Sequence, residues 1–369
     1  MSTSLNWILV IFGFCLLVIL HEAGHFFAAK ATGMRVEKFF LFLGPKLFSV
    51  KRGETEYGIA AIPLGGFVKI TGMNPDEELP PEVAGRGYYR QPVWKRIVVI
   101  GAGPAVNIVL AFVILFFVAF SFPEPDGTVK AVDSGSPAAA AALKPGDRLV
   151  SINGKRFAGT GREERVARFA KIISADKCRA ADPVEGCRAV DPIALGIEAG
   201  DGRLRTTTVY PVYDKSNKRM RIGIEWGSVP AAGTPRAAAS FAWDKMWMVA
   251  SGTFHVFSHI FESEERKQIS GIVGTSDVAH QTIDLGAAPA LFLLAIVSLS
   301  LGLINLLPIL PLDGGHIFWS LVEKFRGEPV SMRVIERATV LGFVLVAALM
   351  FIGLNNDIGR LTGEGFGAR

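Results

Sequence analysis

Apolar residues gather in four blocks along the chain, near positions 6–28, 97–120, 288–310 and 336–354. Each block is close to the roughly 20 residues that a helix needs to cross hydrocarbon. Between the second and third blocks the pattern changes to short alternating runs. Val129 to Val132, Arg148 to Asn153, Thr206 to Val212 and Met220 to Trp226 predict strands. Ser136-Pro137 ahead of Ala138 to Leu143 predicts a capped short helix with proline at its first position. Asn153-Gly154 predicts a hairpin turn, and a helix is expected over 161–175. The pattern is that of a multi-pass α-helical membrane protein of about four spans with one water-facing α+β insert.

The stretch after the first block fits neither helix nor loop. Phe39 to Pro45 is very apolar, and Tyr57 to Ile70 reads as short strands around Gly and Pro turns. Strands facing lipid would leave backbone groups unpaired, so a membrane-associated β-hairpin or sheet tucked against the helices is expected. Its edge could pair with an extended substrate. Residues 236–262, with Phe241, Trp243, Met246, Trp247, Ala250, Phe254, Phe257 and Phe261, form an amphipathic candidate suited to a membrane interface. The expected divisions are residues 1–31 for the first span and 32–96 for a cytoplasmic β region and loop. The second span follows over 97–120, the extracytoplasmic insert over 121–230 and an amphipathic interfacial region over 231–286. The third span covers 287–322, a cytoplasmic link 323–335, and the fourth span with a C-terminal tail 336–369.

Charge orients this arrangement. The 369 residues carry a formal net charge of +5, and basic residues crowd the link between the first two spans, from Lys30 and Arg35 to Lys95 and Arg96. Lys324, Arg326, Arg333 and Arg337 follow the third block. Positive residues favour the cytoplasmic side, which places both termini and the insert outside. The absence of a basic patch interleaved with aromatics speaks against nucleic acid as a partner. The first block has no positive lead and is long for a signal sequence, so a retained span is expected. Cys15 lies within it. Cys178 and Cys187 lie in the insert, where a disulfide and two free thiols are both open.

The chemistry begins in the first block, at His21-Glu22-Ala23-Gly24-His25. Residues four apart share a helix face, so both imidazoles can meet one ion, and Zn2+ suits them. Glu22 lies about 100° round the helix from His21, where it can serve as a general base rather than a ligand. Ionisable groups inside an apolar span are costly and usually functional. Counted from Asn6, His21 lies about 22 Å along the helix, toward its cytoplasmic end. Zinc needs a third protein ligand. Asp313, in Leu312-Asp313-Gly314-Gly315-His316 after Pro308 and Pro311, is preferred, with His316 as the competitor. Asn305 is either a partner for substrate backbone or a structural amide. Gly101-Ala102-Gly103-Pro104 allows close helix approach, and Asn107 is expected inside the bundle as a clasp between helices. His255 and His259 are also four apart, but no Glu adjoins them, and they read as interfacial.

Together these residues resemble the site-2 protease family, in particular bacterial PDZ-containing members of the regulator of sigma-E protease type. The likeness rests on His21 to His25, Pro63 to Lys69, Gly103-Pro104 with Asn107, and Asn305 through Pro308 to Gly314. The run from Ser136-Pro137-Ala138 through Gly146-Asp147 to Ile152-Asn153-Gly154 is similar to a PDZ core, and only one such core is evident. The resemblance implies zinc on His21, His25 and Asp313, Glu22 as catalytic base, and Asn305 in substrate handling. It implies intramembrane cleavage of single-span membrane proteins, either anti-sigma factors or signal peptide remnants, after an upstream site-1-type protease. It also implies the bacterial inner membrane as location, with the PDZ-like insert filtering substrates by size. In Ser270-Gly271-Ile272-Val273-Gly274, Ile272 stands where the family usually has proline, and nothing functional follows from that.

Overall fold

The computed structural model describes residues 3–74, 77–156, 162–175, 178, 183–215, 219–259, 262, 269, 271–328 and 330–362. Phe261, Ser270 and the tail 363–369, which entered the reading above, lie outside them. The chain forms two compact units, one of residues 1–119 with 234–369 and the other Phe120–Gly233.

In the first unit, four helices are long and apolar enough to cross a membrane, over Ser4–Ala31, Val93–Val118, Ala287–Asn305 and Met332–Arg360. They belong to helices α1 (Thr3–Ala31), α3 (Val93–Val118), α8 (Ala287–Asn305) and α10 (Met332–Thr362). Ile8, Phe12, Val109, Phe117, Leu341 and Phe343 on these helices are each more than half exposed. So much open apolar surface needs a cover, and lipid supplies it to a multi-pass membrane protein. Helix α3 is the centre of the unit and packs against α1, α8, α6 (Pro235–Ser258) and α9 (Asp313–Arg326).

Two boundaries differ from the sequence reading. Helix α3 begins at Val93, after Pro92, so Lys95 and Arg96 are inside it and not in the preceding link. The third apolar block does not run unbroken to 322. It stops at Asn305, and a new helix starts at Asp313. Pro308 and Pro311 cannot donate backbone hydrogen bonds and their rings clash with a preceding turn, which ends the first helix. Helix α9 carries Asp313 in its first turn and Lys324 and Arg326 in its last, each matched to the helix dipole. It extends to Arg326, four residues into the expected link, and ends on Gly327 at φ +76°.

The region after α1 is a hairpin of two long strands, β1 (Val36–Arg52) and β2 (Thr55–Ile70). Both strands bend, so that Lys38 to Leu41 lie between Gly66–Lys69 on one side and Glu56–Ile59 on the other. Gly66–Ile70 is thereby one edge of a four-segment sheet. In the turn of the hairpin, Glu54 receives two hydrogen bonds from Arg86, at 2.7 and 2.8 Å, and one from Lys30 at 2.9 Å. A short helix α2 (Pro81–Ala84) lies in the polar loop that follows.

Helix α7 (Ile272–Asp284) follows α6. Buried Asp357 of α10 accepts hydrogen bonds from Gly271 N and Gly274 N at 3.1 and 2.8 Å, which caps α7 from outside its own sequence. His255 and His259 sit at the end of α6, where His259 Nδ1 lies 3.0 Å from the His255 carbonyl.

The second unit holds a sheet in the order β10-β3-β4-β6-β7, with β5 paired to β4. The strands are β3 (Pro123–Val132), β4 (Arg148–Ile152), β5 (Lys155–Arg156), β6 (Ile193–Glu198), β7 (Leu204–Val209) and β10 (Ile224–Pro230). Val129, Leu149, Ile152, Leu195 and Ile197 form its core with Phe169 and Ile173 of α5 (Arg162–Ala175). Ser136 Oγ accepts from Ala139 N at 3.2 Å at the start of α4 (Pro137–Ala140). Asn153 and Gly154, at φ 47° and 76°, make the tight turn between β4 and β5. The run Met220 to Trp226 is not one strand. Gly223 at φ 76° divides it into β9 (Arg219–Arg221), paired with β8 (Val212–Asp214), and β10, paired with β3. Cys178 and Cys187 are joined by a disulfide.

Candidate active site

His21 and His25 lie one turn apart on the last third of α1, and both are buried. Asp313, the first residue of α9, meets them. Its Oδ2 lies 3.2 Å from His21 Nε2 and 3.3 Å from His25 Nε2, and the two Nε2 atoms are 3.3 Å apart. Among the described residues, this is the one group of three or more His, Cys, Asp or Glu side chains arranged to hold a metal ion. His316 is not in it. Its ring lines a small cavity with Tyr88, Trp319, Ser320 and Glu323.

The triangle fits zinc on two grounds. Tetrahedral zinc with bonds of about 2.0–2.1 Å separates its ligand atoms by about 3.3–3.4 Å, close to the three observed edges. The second ground is protonation. His25 Nδ1 lies 2.9 Å from the Val99 carbonyl, which can only accept, so Nδ1 carries the hydrogen and Nε2 of the neutral ring presents a lone pair. Asp313 Oδ2 is buried with no hydrogen-bond partner. Lone pairs converging in a buried place repel one another unless a cation joins them.

Glycines let the backbones come this close. A Cβ on Gly24 would lie 2.6 Å from the Ala102 carbonyl oxygen of α3. A Cβ on Gly103 would collide with the His25 ring, foremost at Nε2. On Gly314 it would collide with the carbonyl oxygens of Leu306 and Leu307. The small-residue stretch Gly101 to Pro104 in the first half of α3 therefore has a specific task, to make room for a ring of the site. Glu22, next to His21, is within electrostatic reach of His21, His25 and Asp313. Its Cγ lies 3.0 Å from where a Cβ on Gly66 would stand, so the sheet edge Gly66–Ile70 passes beside it. Asn305 is half-buried at the end of α8, and its amide donates to the Leu301 carbonyl at 3.0 Å.

Two supports were not found from the sequence. Arg96, 2% exposed, makes a bidentate pair with Glu323 at 2.9 and 2.6 Å, tying the first turn of α3 to the far end of α9, and its guanidinium sits 5.3 Å from the Tyr89 ring. A charge placed in a helix within an apolar bundle was the available signal, and the boundary set at residue 97 hid it. The Val99 carbonyl carries no sequence signal at all. Asn107 is buried inside the bundle, as expected, and its side-chain amide reaches across to α1, where it faces His21 Nδ1 at 3.3 Å, while its main-chain carbonyl accepts from Ser298 Oγ of α8 at 2.9 Å.

The sequence profile of Peptidase family M50 matches residues 9–349. A Rhizobium meliloti (strain 1021) protein, provisionally named a zinc metalloprotease, is 32% identical over 376 residues, covering 94% of this chain and 95% of the relative. Zinc metalloprotease Rip1 of Mycobacterium tuberculosis (strain ATCC 25618 / H37Rv) is 29% identical over 400 residues, covering 95% and 96%. Imidazole donors in an apolar helix converging with a carboxylate at the start of a second helix, and a match along nearly the whole chain, lead to one assignment: this protein belongs to peptidase family M50, the site-2 proteases, and is a zinc metalloprotease.

Proposed function

We propose that the protein is an intramembrane endopeptidase in which His21, His25 and Asp313 hold zinc and Glu22 is the general base. The observation that carries this reading is the triangle of 3.2, 3.3 and 3.3 Å edges built from one apolar helix and the start of another. Zinc bound there supplies Lewis-acid polarisation of a carbonyl and makes water acidic enough to react near neutral pH. Glu22 takes a proton from the attacking water and delivers it to the amine that leaves. The substrate must be extended at the cut, since helix hydrogen bonds cover its carbonyls. The edge Gly66–Ile70 beside Glu22 offers main-chain groups to such a segment. Asn305 binds substrate backbone once its own hydrogen bond to Leu301 is released.

The substrates are single-span membrane proteins of anti-sigma factor or signal-remnant type, shortened first by another protease. The unit Phe120–Gly233 is a PDZ-like domain that filters them by size. The crowding of Lys and Arg around Lys30 to Arg96 and Lys324 to Arg337 supports a cytoplasmic face for the site. It likewise supports an extracytoplasmic one for the PDZ-like unit and both termini, in a bacterial inner membrane.

The test is cleavage of a purified, tagged single-span substrate in detergent, with the products located by mass spectrometry. A cut inside the apolar segment, abolished by chelator and restored by zinc, is the expected result. Cuts confined to water-exposed segments would overturn the intramembrane reading.

A further inference from the structure

Each histidine of the triangle has a second ring nitrogen, and what faces it decides which nitrogen is left for the metal. For His25 the question is closed by the Val99 carbonyl at 2.9 Å. For His21 the group opposite Nδ1 is the amide of Asn107, 3.3 Å away and completely buried. An amide can present either oxygen or nitrogen, since a half-turn exchanges them. With Nδ2 toward the ring, an N–H of the amide points at a nitrogen that must itself carry hydrogen if Nε2 is to face Asp313. In that orientation Asn107 Oδ1 is buried without a partner. The half-turn removes the conflict at the ring, because Oδ1 then accepts from Nδ1–H and Nε2 keeps its lone pair, while Nδ2 takes the position that Oδ1 left.

We infer that Asn107 is the positioning residue for His21, its amide oxygen accepting the Nδ1–H and so holding the ring in the tautomer and orientation that bind metal. This rests on the zinc site proposed above. It makes α3 the common backing of both rings, with a main-chain carbonyl behind His25 and a side-chain amide behind His21. The two supports are unequal. Substitution at 99 cannot remove a carbonyl, whereas substitution at 107 removes the amide. It leaves the tie to α8 intact, because Ser298 Oγ donates to the main-chain oxygen of Asn107.

The experiment uses the whole metal-stripped chain in detergent, titrated with Co2+ and read by visible d–d absorption, with chelator competition for affinity. The wild type is expected to give a tetrahedral-type spectrum. Asn107→Leu, monodisperse on size exclusion, is expected to bind about 10–100-fold more weakly, the usual cost of losing a hydrogen-bond partner behind a ligating histidine. Asn107→Asp keeps an acceptor and is expected to bind within a factor of about three of wild type. Equal affinity in wild type and a folded Asn107→Leu would overturn the inference and leave the metal site standing. A loss of about tenfold or more in Asn107→Asp would also overturn it, whether or not the Leu variant folds, since the group facing the ring would then have to be a donor. No cobalt binding by wild type would overturn the metal site and the inference together.

Discussion

The two units bury different things. In Phe120–Gly233 the interior is an apolar sandwich of sheet and helix, and among the described residues its buried charged groups are Asp147 and Asp214. Each of these pairs with an arginine on the same sheet region, Arg205 at 2.8 Å and Arg221 at 3.0 Å. The helical unit buries His21, His25, Arg96, Asn107, Ser298 and Asp357 among side chains that otherwise face lipid. Water can solvate a badly placed polar group on a soluble domain, but hydrocarbon cannot. In the helical unit His25, Arg96, Ser298 and Asp357 are accordingly each matched to a group on another helix. The architecture of this unit is therefore the architecture of its site, while the second unit folds around an ordinary core.

Changes at the buried polar groups of the helical unit should therefore cost chemistry, and changes in the core of the second unit should cost stability alone. The largest effect is expected for Asp313→Ala, which should lose stoichiometric zinc and reduce cleavage to background, while His316→Asn keeps its zinc. Metal analysis of the two purified variants checks this, and zinc loss in His316→Asn with retention in Asp313→Ala would reverse the ligand assignment. Gly103→Ala comes next. The added methyl displaces the His25 ring, and a misplacement near 1 Å can cost about 10²-fold in rate. A fall in kcat with near-normal melting is expected.

Arg96→Ala strands Glu323 and should destabilise the helical unit by about 3–5 kcal/mol, as breaking a buried pair does. Leu149→Ala in the sheet core should cost about 2–5 kcal/mol. Thermal melts would show both losses. Zinc affinity separates the two, because Arg96→Ala should lower it by loosening α9 and Leu149→Ala should not. Equal zinc affinity in both would break the contrast between the units.

The smallest effect concerns pH. Arg86 foremost, with Lys30, holds the Glu54 carboxyl down from its ordinary 4.5 to about 2. A folded value below the unfolded one stabilises the protein above about pH 4.5 and loses that contribution as pH falls toward 2. Arg86 is 43% exposed, so solvent screening limits the contribution to about 1 kcal/mol or less. Melting of wild type and Glu54→Gln should differ at pH 7 and converge only as pH falls to about 2.

Much of the site was legible in the sequence because it obeys local rules. His21, Glu22 and His25 are tied by helix periodicity, and Asp313 stands out as a carboxylate between helix breakers at the end of an apolar block. The alternating runs of the second unit gave several of its strands but not β6, the run Thr206 to Val212 is divided between β7 and β8, and the run Met220 to Trp226 is split by Gly223, whose positive φ no pattern of apolar residues reports. The supports of the site were not legible in the same way. Val99 contributes a carbonyl that every residue has. Arg96 and Glu323 are 227 positions apart and meet only because α3 and α9 pack together. The break after Asn305 was marked by its prolines, but where the next helix began depended on how Gly314 and Gly315 pack against the turn before them.

The measurement closest to the central claim pairs zinc content with cleavage in Glu22→Gln. The account predicts full zinc occupancy and a rate lower by about 10²–10⁴-fold, since the ligands remain and the base is gone. Near-wild-type cleavage with full zinc would contradict the role of Glu22. Loss of zinc together with activity would make Glu22 part of the metal site and not the base.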